Sequence, residues 1–111
     1  MARLRSDFWV AAYIRRCLGQ AVPAMLRRRG SPEAGAILIK VDHLDGTSVL
    51  YGPVPQTEVE DNDSDRCFSR LHKADRIASV DAEARLTREI GFDPDLWIVE
   101  IEDKAGRSFL D

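Results

Sequence analysis

The sequence predicts an α+β domain: about five strands in a mostly antiparallel sheet, with two helices packed on it. Three observations carry that expectation. Two stretches, 8–19 and 82–90, place apolar side chains at helical spacing. Between them lie β-rich runs separated by Gly and Pro turn signals, and a further β-rich run follows the second helix. The size is that of one domain: 111 residues, 44% hydrophobic and 32% charged.

The elements follow in order. Ser6 or Asp7 can cap a first helix running from Phe8 to Gly19. On a helical wheel Val10, Ile14, Cys17 and Leu18 form a core-facing stripe, with Tyr13 and Ala11 on its flanks. Gly19 suits the end of that helix and Pro23 prevents its continuation. Residues 24–29 read as a strand because a turn, Gly30 to Gly35, and a second β-rich run, 36–41, follow; the two runs predict a hairpin. The second run is apolar on both faces through Ile39, as in a strand covered on both sides. Asp45-Gly46 predicts a type I′ turn into a strand over 47–51, which Gly52-Pro53 and Pro55 end.

Residues 57–65 contain five acids and no base, and predict a solvated, mobile loop within the domain. A further strand is expected over 66–72. Ser79 or Asp81 can cap a second helix with Ala82, Leu86 and Ile90 inward, Asp81–Arg85 and Arg85–Glu89 as charge pairs, and Gly91 at its end. Residues 96–101 predict a strand and 107–110 a short final one. The four strands between the helices are expected to meander.

The residues also carry a resemblance. The stretches are Trp9-Val10-x-Ala12-Tyr13-x-Arg15-Arg16, residues 34–41, Leu44-Asp45-Gly46, Leu50-Tyr51-Gly52-Pro53, and 93–103 with its Asp93-Pro94-Asp95-Leu96-Trp97 opening. They resemble a family of short bacterial proteins catalogued as domain of unknown function fourteen ninety-one. The resemblance implies a small α/β-type domain of cytoplasmic origin and carries over no catalytic residue.

Composition narrows the function. No apolar run approaches the ~20 residues that span a bilayer, and Arg3, Arg5 and Asp7 interrupt any signal peptide, so the cytoplasm and no membrane are expected. Cys17 and Cys67 form no CxxC and read as buried thiols. No cofactor or metal is expected. His43 and His72 are the only histidines, and neither His43 beside Asp42 and Asp45 nor Cys67-x4-His72 has structural zinc spacing. Asp95 and Glu102-x-Lys104 mimic a nuclease motif, but seven residues of strand would separate the two carboxylates by roughly 20 Å. Glu100 and Glu102 share a strand face and read as the solvent side of an edge strand or as partners for the N-terminal arginines. An enzyme using Asp42, Asp45, Glu100 or Glu102 is the least favoured class.

Two binding readings remain. Trp9, Tyr13, Arg16 and Gln20 line one edge of the first helix, in residue types enriched at binding hot spots, and point to a protein partner or a second copy. Their alternative role is to close the core edge. Residues 1–30 carry seven Lys/Arg against the single acid Asp7. Arg27, Arg28 and Arg29 therefore suggest nucleic acid as the alternative partner, although the whole chain is acidic, with a pI near 5.4. No catalytic constellation is visible, so a binding module is the favoured reading.

Overall fold

The computed structural model describes residues 4–54 and 66–110. The expected acidic loop, 57–65, lies outside the described residues. The elements are α1 (Ser6–Gly19), β1 (Ala24–Arg28), β2 (Ile37–Asp42), β3 (Thr47–Pro53), β4 (Phe68–Arg70), β5 (Ile77–Ala78), α2 (Ser79–Phe92) and β6 (Trp97–Glu102). The six strands form one sheet in the order β1-β6-β2-β3-β4, with β5 beside β3. All pairs are antiparallel except β2 with β6.

The architecture is the expected α+β class, but the expected hairpin of β1 with β2 does not form. β6 lies between them, antiparallel to β1 and parallel to β2. The connection between β1 and β2 instead wraps the start of β6. Ser31 N–H donates to the Asp95 carbonyl at 3.0 Å, and Trp97 N–H donates to Ala36 O at 2.8 Å. Gly30 and Gly35 permit that approach. A Cβ on either would come within 2.1 or 2.3 Å of Asp95 O, closer than any van der Waals contact allows. The indole of Trp97 closes the crossing, donating to Ser31 O at 2.7 Å.

Alternation along β2 and β6 builds two cores on opposite faces of the sheet. Ile37, Ile39, Val41, Trp97, Val99 and Ile101 pack with Val10, Tyr13 and Cys17 of α1. Leu38, Leu50, Leu96 and Ile98 pack with Ala82 and Leu86 of α2. Each helix thus covers one face. Their boundaries differ from expectation in instructive ways. Neither Ser6 nor Asp7 caps α1; Arg5 occupies that position without a side-chain cap bond. Ser6 is instead buried, its hydroxyl donating to Gly35 O at 2.7 Å. The buried stripe of α1 is Ser6, Val10, Tyr13 and Cys17, while Leu18 is 55% exposed. Residue spacing of 100° turns the face away from Leu18 once Ser6 belongs to it.

Helix α2 also starts without a side-chain cap, at Ala78, and runs through Gly91 to Phe92. Open space surrounds Gly91, so no packing forces the chain out of the helix there. Of the two expected charge pairs only Arg85–Glu89 forms, at 3.0 Å, and Arg85 also donates to Leu71 O. The β2–β3 hairpin is present, but its turn is longer than a type I′ pair. Positive φ falls on Leu44 (64°) and Gly46 (88°). Asp42 accepts from Leu44 N–H and Asp45 accepts from Thr47 N–H, which brackets the turn with carboxylates. Residues 107–110 form no strand. They lie against α1, where Tyr13 Oη donates to Ser108 O at 2.6 Å and Arg16 donates to Phe109 O at 3.1 Å.

Candidate functional site

Polar side chains converge on the α2 face of the sheet, where β1, β6 and β2 run side by side. In the parallel register Lys40 stands beside Glu100 and Asp42 beside Glu102. The sequence hinted at this place only through a lysine and a glutamate inside otherwise apolar strands. Glu100 and Glu102 are not on an edge strand: β6 is internal, and Glu100 is buried. The irregular register of β1 between Leu26 and Arg28 frees Arg27 from the ladder. Its guanidinium reaches α2, gripping Glu83 with two bonds of 2.6 and 2.7 Å, and also donates to Glu100 at 2.9 Å. Lys40 Nζ completes the network at 2.6 Å from Glu83 and 3.5 Å from Glu100.

Two cations therefore share two carboxylates between sheet and helix. The Arg27 bonds, aided by Lys40, hold Glu83 far below the usual carboxylate range, at about 2, against opposing burial. The same contacts with Glu83, and then Glu100, push Arg27 upward. Because Glu83 starts from 4.5 in an open chain and falls to about 2 in the fold, its contribution to stability is complete above 4.5. It is lost as pH falls from there towards 2. Melting temperature should accordingly drop more steeply over that window in the wild type than in Glu83→Gln. Parallel slopes in thermal melts from pH 6 to 2 would refute the assignment.

At the carboxyl ends of β2 and β6, ligand atoms of Asp42, Glu100 and Glu102 lie within 4.8 Å of one another. This is the set among the described residues with spacing that could hold a cation. Lys40 and Arg27 already supply counter-charge to Glu100. Asp45 stands apart, bonded to Thr47 and paired with Arg76 at 3.0 Å. Asp95 precedes β6 and Glu102 ends it, so they stand at opposite ends of the strand. Both ring nitrogens of His72 are engaged: Nε2 accepts from Leu50 N–H and Nδ1 faces Ala74 O. His43 is half-buried with its ring on Gly106. Cys17 is buried, and burial pushes its thiol upward, as suits an inert cysteine.

The residues expected to bind a partner are placed as follows. Trp9 stacks on Tyr13 and meets Phe68, each at 5.1 Å between ring centres. Tyr13 is buried, Arg16 holds the 107–110 segment, and Gln20 is exposed just beyond α1. Three of the four thus contact the chain's own core or tail. The three consecutive arginines diverge. Arg27 enters the ion network, Arg28 donates to Leu96 O at 2.9 Å, and Arg29 lies over the Trp97 ring at 5.3 Å.

The fold and this charged seam define a small α+β domain with a helix on each sheet face and a charged network under one of them. The protein-family description that fits the chain is "Protein of unknown function (DUF1491)", matching residues 4–111, and the chain belongs to that family. Similar solved structures agree. A crystal structure of a DUF1491 family protein from Caulobacter crescentus CB15 is 36% identical, with TM-score 0.79, covering 96% of this chain and 92% of that one. The solution structure of protein Atu0922 from A. tumefaciens is 38% identical, with TM-score 0.76, covering 90% and 86%. An NMR structure of a DUF1491 family protein from Caulobacter crescentus CB15 is 36% identical, with TM-score 0.78, covering 99% and 94%. No curated protein matches the chain. Among the described residues no helix is long and apolar enough to cross a membrane.

Proposed function

We propose that this chain is a cytoplasmic binding module that acts through contact with protein, and that the contact lies along the open edge of β1. The observation that supports this reading is the exposure of Leu18, Met25 and Leu26, at 55%, 42% and 37%, on and beside a strand that has no neighbour on its outer side among the described residues. Unpaired strand edges bind extended backbone readily, and apolar side chains beside them add affinity. This surface lies on the flank of α1 opposite Trp9, since Trp9, Tyr13 and Arg16 are engaged internally.

The test is capture by tagged wild type and by the Leu18→Lys/Leu26→Lys double variant, each with and without nuclease. A stoichiometric protein held by the wild type, resistant to nuclease and lost in the double variant, is the expected result. Capture that the double variant retains would remove β1 from the function. Capture abolished by nuclease would favour the alternative partner, nucleic acid held by Arg27, Arg28 and Arg29.

A further inference from the structure

We infer that residues 107–110 are a releasable strap, which lifts off α1 as a unit while the sheet stays folded and so bares the Tyr13–Arg16 edge that it covers. The inference stands apart from the β1 reading above. Three observations carry it. First, the strap is fastened by side chains alone. Residues 107–110 belong to no helix or strand, and among the described residues they make no backbone–backbone hydrogen bond. Their bonds with α1 come from Tyr13 Oη, which donates to Ser108 O at 2.6 Å, and from Arg16, which donates to Phe109 O at 3.1 Å. Phe109 and Leu110 pack against the core under α1 yet stay half-buried. A segment joined to a fold in this way opens at a far lower cost than a strand inside a ladder.

Second, the strap is strained near one end and clamped at the other. Phe109 has a φ of 58°, in the left-handed region where a bulky aromatic residue is strained. That strain relaxes once the segment leaves α1. At the other end Gly106, with a φ of 74°, turns the chain. Asp103 then holds the next residue. Its carboxylate accepts from the Arg107 backbone N–H at 2.8 Å and from the Arg107 guanidinium at 3.0 and 3.1 Å. This clamp fixes the base of the strap just beyond β6 while residues 108–110 swing.

Third, a polar pair lies beneath the strap. The Tyr13 hydroxyl is also bonded to the thiol of Cys17, one turn further along α1, and both residues are buried. Water can take the place of Ser108 O on that hydroxyl when the strap lifts, so opening leaves no polar group unsatisfied. Solvent then stands one hydrogen bond away from the Cys17 thiol.

Thiol labelling tests this in the Cys67→Ser protein, where Cys17 is the remaining cysteine. The probe is an aromatic disulfide reagent, applied at urea concentrations below the unfolding transition. The expected labelling rate hardly changes with urea, because a local opening exposes little surface. Tyr13→Phe and Arg16→Ala should each raise it about tenfold by removing one latch bond. A rate that climbs with urea as steeply as global unfolding, from zero denaturant upward, overturns the strap. So does a urea-independent rate that both substitutions leave unchanged, since the opening would then lie elsewhere. Urea unfolding of each variant, measured in parallel, separates strap release from a general loss of stability. Should Tyr13→Phe fail to fold, Arg16→Ala decides, because Arg16 is exposed.

Discussion

Replacing Lys40 with Met should lower the stability of the domain by about 3 kcal/mol, the lower end of what breaking a buried ion pair costs. Lys40 is 5% exposed and stands between Glu83 and Glu100. Its removal leaves buried Glu100 with Arg27 alone, and Arg27 is shared with Glu83. The half-exposed Arg27 and the partly solvated Glu83 can relax towards water, which keeps the loss from being larger. Urea unfolding followed by circular dichroism measures it. Replacing Lys40 and Glu100 together by Met and Leu should recover part of the loss, since two apolar side chains need no counter-charge. A single Lys40→Met variant as stable as the wild type would mean that the network holds nothing in place.

Trp97→Ala should be at least as severe, at about 3–5 kcal/mol. The indole is 1% exposed, it packs in the core under α1, and its N–H satisfies Ser31 O at the crossing. Truncation opens a cavity and strips the β1–β2 connection of its anchor. The total stability of a domain is of the order of 5–15 kcal/mol, so this loss is a large share of it. The variant should therefore show a much lower urea midpoint, and Trp97→Phe should fall between it and the wild type. Equal midpoints for Trp97→Phe and Trp97→Ala would show that ring packing contributes nothing beyond the lost hydrogen bond.

Local signals in the chain located most of the elements, and non-local pairing accounts for most of what they missed. The β-rich runs of β2, β3 and β6 are visible in residues 37–53 and 97–102 because composition and flanking turn residues mark each one locally. Their neighbours are not. Nothing near Arg28 or Ile37 signals that Trp97–Glu102 will lie between them. The same ignorance hid the charged seam: Lys40 and Glu100 are sixty positions apart and meet only through the parallel register. Glu83 reads as an ordinary surface residue of a helix until Arg27 leaves the ladder to reach it. Ser6 misled in another way. Its hydroxyl suits a helix cap locally, yet Gly35 offers it a buried carbonyl, and that partner rotates the inward face of α1 away from Leu18. The β5 pair was too short to announce itself, with two residues, Ile77 and Ala78.

The position of β6 bears on how the chain is made. A nascent chain leaves the ribosome from its N-terminus, so β1 and β2 emerge long before the strand that joins them. Until Trp97–Glu102 is available, each has a vacant side where β6 will sit, and neither sheet face can be completed over it. The sheet can therefore close only once β6 is available, because β1 pairs with no other strand among the described residues. Sheets assembled from such distant segments fold slowly and are exposed to aggregation meanwhile. Gly30 and Gly35 let the β1–β2 connection lie directly against the start of β6, so a side chain at either position would obstruct that closure.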